Sequence, residues 1–296
     1  MVQQGTLYLS LFVATFAVSW AAILIKLAGA GPLPTAAYRM ILASLMLLPF
    51  AVGKLRSLGK ILSKRQIILL ITSGLVLGFH FAVWVTSLFY TTISNSTILV
   101  ATQPMFVLLM EAVILREKVP ARSVVGMLIA VAGMILISKG DFSLGREYII
   151  GDLLALAGAV FAGLYLFIGR QLRASLDNLA YIFPVYTIAA LTLAVISLFA
   201  QENLTDYPVQ TWLIFLLLAF VPTVVGHTLY NWLLKFVPAH MVATTILGEP
   251  IGATILAIFF FQQIPGWWTI IGGGLILSGI FIVLRRKKEH RVIMPE

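Results

Sequence analysis

The stretch TTILGEPIGATILA, residues 244 to 257, places Glu249 against Pro250 inside an almost wholly apolar run. A carboxylate in such a place could recognise a cation, couple a proton or tie helices together through a hydrogen bond. His80 and His227 are also set in apolar surroundings, where an imidazole could line a solute path or satisfy a core neighbour. Each has company at helical spacing: His80 with Trp84 and Ser87, His227 with Tyr230 and Asn231. Gln103 precedes Pro104 in another apolar run, and Lys26 and Arg39 complete the set of polar groups that interrupt hydrophobic sequence.

Several chemistries are excluded by what the chain lacks. It contains no cysteine, so disulfides, thiolate metal sites and cysteine nucleophiles are absent. No G-x-S-x-G elbow occurs, and Ser73 has no base and orienting acid beside it, so an intramembrane hydrolase is disfavoured. The chain reads as a non-enzyme with no cofactor and no metal. A haem held by His80 and His227 is opposed by their expected depths, one in the outer half of the membrane and one in the inner.

Whatever these side chains do, hydrophobic elements must position them. Of 296 residues, 60% are hydrophobic and only 10% charged, against about 25% charged in an ordinary soluble protein. That is the balance of a membrane protein. A hydrocarbon core about 30 Å thick takes roughly 20 apolar residues of helix. Ten segments qualify or nearly so: about 7 to 28, 33 to 53, 66 to 88, 93 to 115, 121 to 138, 151 to 169, 179 to 200, 210 to 235, 240 to 261 and 266 to 284. Continuous apolarity rules out alternating barrel strands, so the fold class is all-α integral membrane.

The net charge of +9 is spread through short loops, which points to topology and not to nucleic acid. With both termini in the cytoplasm, Lys54, Arg56, Lys60, Lys64, Arg65, Arg116, Lys118, Arg122, Arg170, Arg173, Lys235 and the RRKKEHR tail all fall inside. Lys139 and Arg146 fall outside. The first apolar run lacks a basic leader and is too long for the core of a cleaved signal, so it is expected to be the first span.

Sliding the chain against itself by about 146 residues aligns NSTILVATQPMFVLLMEAVILREKVP with MVATTILGEPIGATILAIFFFQQIP, and Gln103-Pro104 meets Glu249-Pro250. The same shift pairs Gly126 with Gly272 and Gly133 with Gly279, and one gap brings His80 to His227. Five helices per half is an odd number, so the second half must cross the membrane upside down. Loop charges agree: Arg116, Glu117 and Lys118 match the uncharged QQIP. The expected layout is a first five-helix repeat over 1–140, a connecting loop 141–150, a second, inverted repeat over 151–284 and a basic tail 285–296. Inverted repeats belong to secondary transporters with a site near the midplane.

Depth then ranks the candidates. Glu249 lies about 13.5 Å into helix 9 at 1.5 Å per residue, near the midplane, and Gln103 has the same depth in helix 4. Pro104 and Pro250 are expected to kink their helices and free carbonyls. Trp20, Trp84 and Tyr230 fall at cavity depth, whereas Tyr38 is near the interface and Tyr165 packs within or near a span. Lys26 can snorkel to the outer interface, and Glu111 is expected to pair with basic neighbours. Gly126, Gly133, Gly272, Gly273, Gly274 and Gly279 allow close helix contact, either within the protein or at a dimer seam.

The motifs WAAILIKLA, PTAAYRMILASLMLLP, YTTISNSTILVATQPMFVLLMEAVILREKVP and LKFVPAHMVATTILGEPIGATILA resemble those of the drug/metabolite transporter superfamily, in its ten-helix EamA-like branch. The resemblance implies efflux of small metabolites, amino acids or drugs across the cytoplasmic membrane. It places a recurrent arginine at Arg39, implying a partner for a substrate carboxylate or a helix-packing cation. A Glu-Pro pair recurs at the position of Glu249 whatever the substrate. The partners implied are a small-molecule substrate and membrane lipids, with the chain a monomer or homodimer. A passive channel or lipid scramblase of the same fold is the alternative.

Overall fold

In a lipid environment every backbone polar group must be satisfied within the chain, and a run of apolar residues does this by closing i to i−4 hydrogen bonds. The computed structural model of the chain is helical throughout, with no strand among the described residues. It describes residues 4–58, 62–114, 116, 120–142, 144–233, 235–236 and 245–284. The helices are α1 (Gln4–Ser19), α2 (Ala21–Leu27), α3 (Pro32–Leu58), α4 (Lys64–Tyr90), α5 (Ile93–Val100), α6 (Gln103–Ile114) and α7 (Ala121–Phe142). There follow α8 (Arg146–Arg173), α9 (Asn178–Phe199), α10 (Val209–Leu218), a π-helical segment (Ala219–His227), α11 (Thr228–Leu233), α12 (Gly248–Phe261) and α13 (Trp267–Leu284). Among the described residues, eight stretches are long and apolar enough to cross a membrane, with α1–α2, α5–α6 and α10–α11 each counted as one. The two remaining helices, α12 and α13, are shorter and equally apolar.

Polar residues mark the helix starts. Ser63 and Gln66 form a reciprocal capping box at α4. Thr92 caps α5 through the Asn95 N–H, and Asp177 caps α9 through the Leu179 N–H. The largest buried core draws on α2, α3, α4, α8 and α9.

Four spans are interrupted where the sequence reads as continuous apolar helix, and each interruption has a local cause. α1 gives way to α2 at Trp20, just after Ser19 donates from its hydroxyl to the Thr15 carbonyl at 2.9 Å, a side-chain bond that bends helices. α5 stops before Pro104, which brings no N–H for the Val100 carbonyl, and a turn at residues 101–102 restarts the chain as α6. Pro250 does the same in its span: residue 247 is a turn and α12 begins at Gly248. The prolines therefore sit in the first turn of new helices, where a missing N–H is harmless. The expected kinks are breaks. The fourth interruption is the π segment around Pro222.

Glycines set the closest contact. A Cβ at Gly133 would lie 2.5 Å from the Gly272 carbonyl oxygen, and one at Gly126 would lie 2.6 Å from that of Gly279. The order 126 to 279 and 133 to 272 means that α7 and α13 run antiparallel. These four glycines pack within the protein and not at a dimer seam. Gly273 meets Ile98, while Gly274 has nothing within 4 Å. The tail 285–296, Lys60, Lys118 and the Glu111 side chain, for which topology or pairing roles are expected, lie outside what the structure describes.

Candidate functional site

Arg39 is the organising residue. It projects from α3 with 0% exposure, the largest side chain to be so completely enclosed. Its partner arises from the π segment. Pro222 cannot donate to the Leu218 carbonyl, and the Thr223 hydroxyl takes over that role at 3.0 Å. With its hydrogen committed there, the Thr223 oxygen offers a lone pair, and Arg39 Nε donates to it at 2.7 Å. The guanidinium lies over the Phe81 ring at 4.3 Å and near Trp84 at 5.9 Å, contacts worth about 0.5–2 kcal/mol each when desolvated. Its two terminal nitrogens, Nη1 and Nη2, have no hydrogen-bond partner. A buried guanidinium that keeps two parallel donors open is costly unless something bidentate occupies them, and a carboxylate has that shape.

Other polar groups converge on the same space. Glu249, in the first turn of α12, lies within electrostatic range of Arg39, without closing a contact ion pair. The first turn suits a carboxylate because free N–H groups and the helix dipole point at it. His80 and His227 also sense Arg39 and each other. Their expected separation in depth is bridged by Phe81, which meets His227 edge-on at 5.9 Å and adjoins His80 at 4.9 Å. His80 donates from Nδ1 to the Gly158 carbonyl at 2.9 Å and stacks on Trp84 at 5.8 Å. Gly158 lets α8 approach closely there, because a Cβ would lie 3.2 Å from that of Trp84. The indole Nε1 of Trp84 is buried without a hydrogen bond, and the hydroxyl of Tyr186 is buried beside Thr228 and Asn231. Glu249 and His227 are part-buried.

The remaining candidates are placed around this centre, not in it. Tyr230 donates or accepts at Thr15 Oγ1 over 2.7 Å, tying α11 to α1, and is an electrostatic neighbour of Glu249. Trp20, at the α1–α2 break, packs edge-on against Phe260 at 5.7 Å. Gln103 opens α6, with its carbonyl 3.0 Å from where a Gly163 Cβ would sit. Asn231 bonds the His227 carbonyl at 2.8 Å and the Tyr165 hydroxyl at 3.0 Å. Lys26 lies over Phe89 at 5.1 Å. Tyr38 belongs to an aromatic group with Tyr207, Trp212 and Phe215 and hydroxyl-bonds the Leu204 carbonyl. Thr223, Phe81 and Tyr186 were not legible as site residues, although a threonine directly after Pro222 signals a hydroxyl available to repair the backbone.

Comparison with known proteins agrees with this architecture. Over 292 residues the chain is 28% identical to an uncharacterized transporter of Archaeoglobus fulgidus, covering 96% of this chain and 98% of that one. It is 26% identical to the uncharacterized transporter YetK of Bacillus subtilis, over 77% of this chain and 71% of the other. Solute carrier family 35 member G1 of Mus musculus is 27% identical over 82% of this chain and 68% of its own length. A solved crystal structure at 20% identity superposes with a TM-score of 0.65, covering 95% of this chain and 96% of that chain, a likeness of fold. The model of the EamA-like transporter family matches twice, over residues 3–139 and 149–285, and the chain belongs to that family of multi-pass membrane transporters.

Proposed function

We propose that the chain exports small organic solutes, amino acids or related metabolites, across the cytoplasmic membrane by alternating access. Ten spans form two inverted five-helix repeats, 1–140 and 151–284, with both termini in the cytoplasm. The observation that carries the reading is Arg39: a fully buried guanidinium with two open donors, in electrostatic range of Glu249, with the Trp84 indole N–H a further unpaired donor. A solute carboxylate would lie on Arg39 and an ammonium group near Glu249, with Phe81, Trp84 and the histidines around its body.

The packing supports the repeat. Interchanging the halves maps the α7–α13 and α3–α9 contacts onto themselves, maps α4–α8 onto the π segment against α1, and maps α6–α8 onto α12 against α1. Antiparallel α7 and α13 fit an inverted relation, as do half-helices that begin at Gln103 and Gly248 beside the site.

Purified protein in proteoliposomes tests the proposal. Saturable flux is expected for at least one amino acid, competed by other carboxylate-bearing amino acids but not by the matching amine without the carboxylate. Absence of saturable flux for every amino acid would overturn it, and flux linear in concentration would favour a passive channel.

A further inference from the structure

One buried polar network runs from the edge of the Arg39 site to the end of α8. Arg173, the last residue of α8, is 4% exposed. Its Nε donates to the Asn231 carbonyl at 3.2 Å, and Nη1 donates to the Leu176 carbonyl. Asn231 is in the last turn of α11, where carbonyls lack helical partners; Lys235 N–H goes to Trp232 instead, at 3.2 Å. The arginine thus supplies a missing donor and places positive charge at two helix C-termini. From Asn231 the network runs on to Tyr165, which stacks on Tyr181 at 6.3 Å. Tyr181 reaches Ser73 of α4 through its hydroxyl at 3.1 Å. The chain of contacts therefore joins α8, α11 and α9 to α4, and Asn231 also holds the carbonyl of His227 in the central site.

The opposite end is built differently. The register that pairs His80 with His227 pairs Lys26 with Arg173, each in the last turn of its helix. Lys26 sits over Phe89 and makes no hydrogen bond or ion pair among the described residues. Equivalent cations therefore tie down one end with hydrogen bonds and contact a ring at the other.

We propose that Arg173 is a latch: it holds its own end of the bundle shut in this state, and its release from Asn231 frees α11 and His227 when that end opens. The proposal rests on the transporter reading and deepens it. Arg173 acts through Asn231 and touches no solute, so it is a positioning residue.

The test exploits a chain with no cysteine. A single Thr228→Cys reporter, next to His227 and beyond the latch, is labelled with a membrane-impermeant maleimide in inside-out vesicles, where the Arg173 end faces the medium. Arg173→Gln is expected to raise the labelling rate by about tenfold or more, the scale of losing one charge-assisted hydrogen bond. Arg173→Lys, which keeps the charge but not the fork, is expected to fall between. A rate unchanged by Arg173→Gln overturns the latch. If Arg173→Gln does not fold, Arg173→Lys carries the test alone: it should still label faster than the parent, and a rate equal to the parent's overturns the latch. Labelling requires no transport. Released labelling without solute flux would therefore sink the transporter reading and leave the latch, while flux with an unresponsive reporter would do the reverse.

Discussion

Replacing Arg39 by methionine separates a solute-binding arginine from a structural one. The structure gives this side chain a Thr223 bond at 2.7 Å, a Phe81 face at 4.3 Å and two empty terminal nitrogens. Methionine keeps much of the length and the apolar contact while removing a buried charge with unmet donors. Losing the Thr223 bond costs stability while removing a buried cation with unmet donors returns some of it, so the ligand-free protein should melt close to the parent temperature. Binding should weaken. Two charge-assisted hydrogen bonds to a carboxylate are worth at least about 3 kcal/mol, which is roughly a hundredfold in Kd. A ligand at 100 times the parent Kd adds about 2.7 kcal/mol to the parent, but only about 0.4 kcal/mol once Kd has risen a hundredfold. Thermal unfolding in detergent, with amino acids and their decarboxylated amines as paired ligands, reads both effects. Loss of intrinsic stability in Arg39→Met with an undiminished amino-acid shift would show that Arg39 serves packing, and the reasoning would fail.

Three further outcomes follow from the same geometry. Glu249→Gln, which keeps the shape but removes the charge near Arg39, should abolish flux driven by a pH gradient and spare counterflow; an unchanged pH dependence removes the carboxylate from coupling. Thr223→Val should cost about 1–3 kcal/mol of thermal stability, because Leu218 and Arg39 both lose their hydroxyl partner, whereas Thr223→Ser should be near parent. Equal melting of the two variants would refute that link. Gly133→Ala should destabilise by about 1–3 kcal/mol, since its Cβ meets the Gly272 carbonyl, and Gly274→Ala, with open space around it, should not. Equal effects in both would contradict the antiparallel glycine seam.

What could be read from the sequence depended on the length scale of the signal. Apolar runs near 20 residues announced membrane spans because lipid leaves the backbone no other way to pair. The breaks at Trp20, Thr102 and Leu247 were hidden, because two half-helices of 7 to 16 residues have the same composition as one long helix. Pro104 and Pro250 pointed to those places, but proline in a first turn and proline at a kink look alike until the preceding turn is seen. Arg39 stood out as a charge within a span. Its partner did not, because Thr223 acquires that role only through the π segment that Pro222 forces. The approach of His80 to His227 was likewise invisible to depth counting, which does not see the Phe81 ring that lies against both.

The central claim is that a solute carboxylate rides on Arg39 through a site that opens to one side at a time. Equilibrium counterflow tests it most directly. Proteoliposomes loaded with a saturating unlabelled amino acid should transiently accumulate trace labelled amino acid above its equilibrium level, and Arg39→Met should show no overshoot under the same conditions. An overshoot that survives in Arg39→Met, or none in the parent protein alongside flux that grows linearly with concentration, would contradict the account.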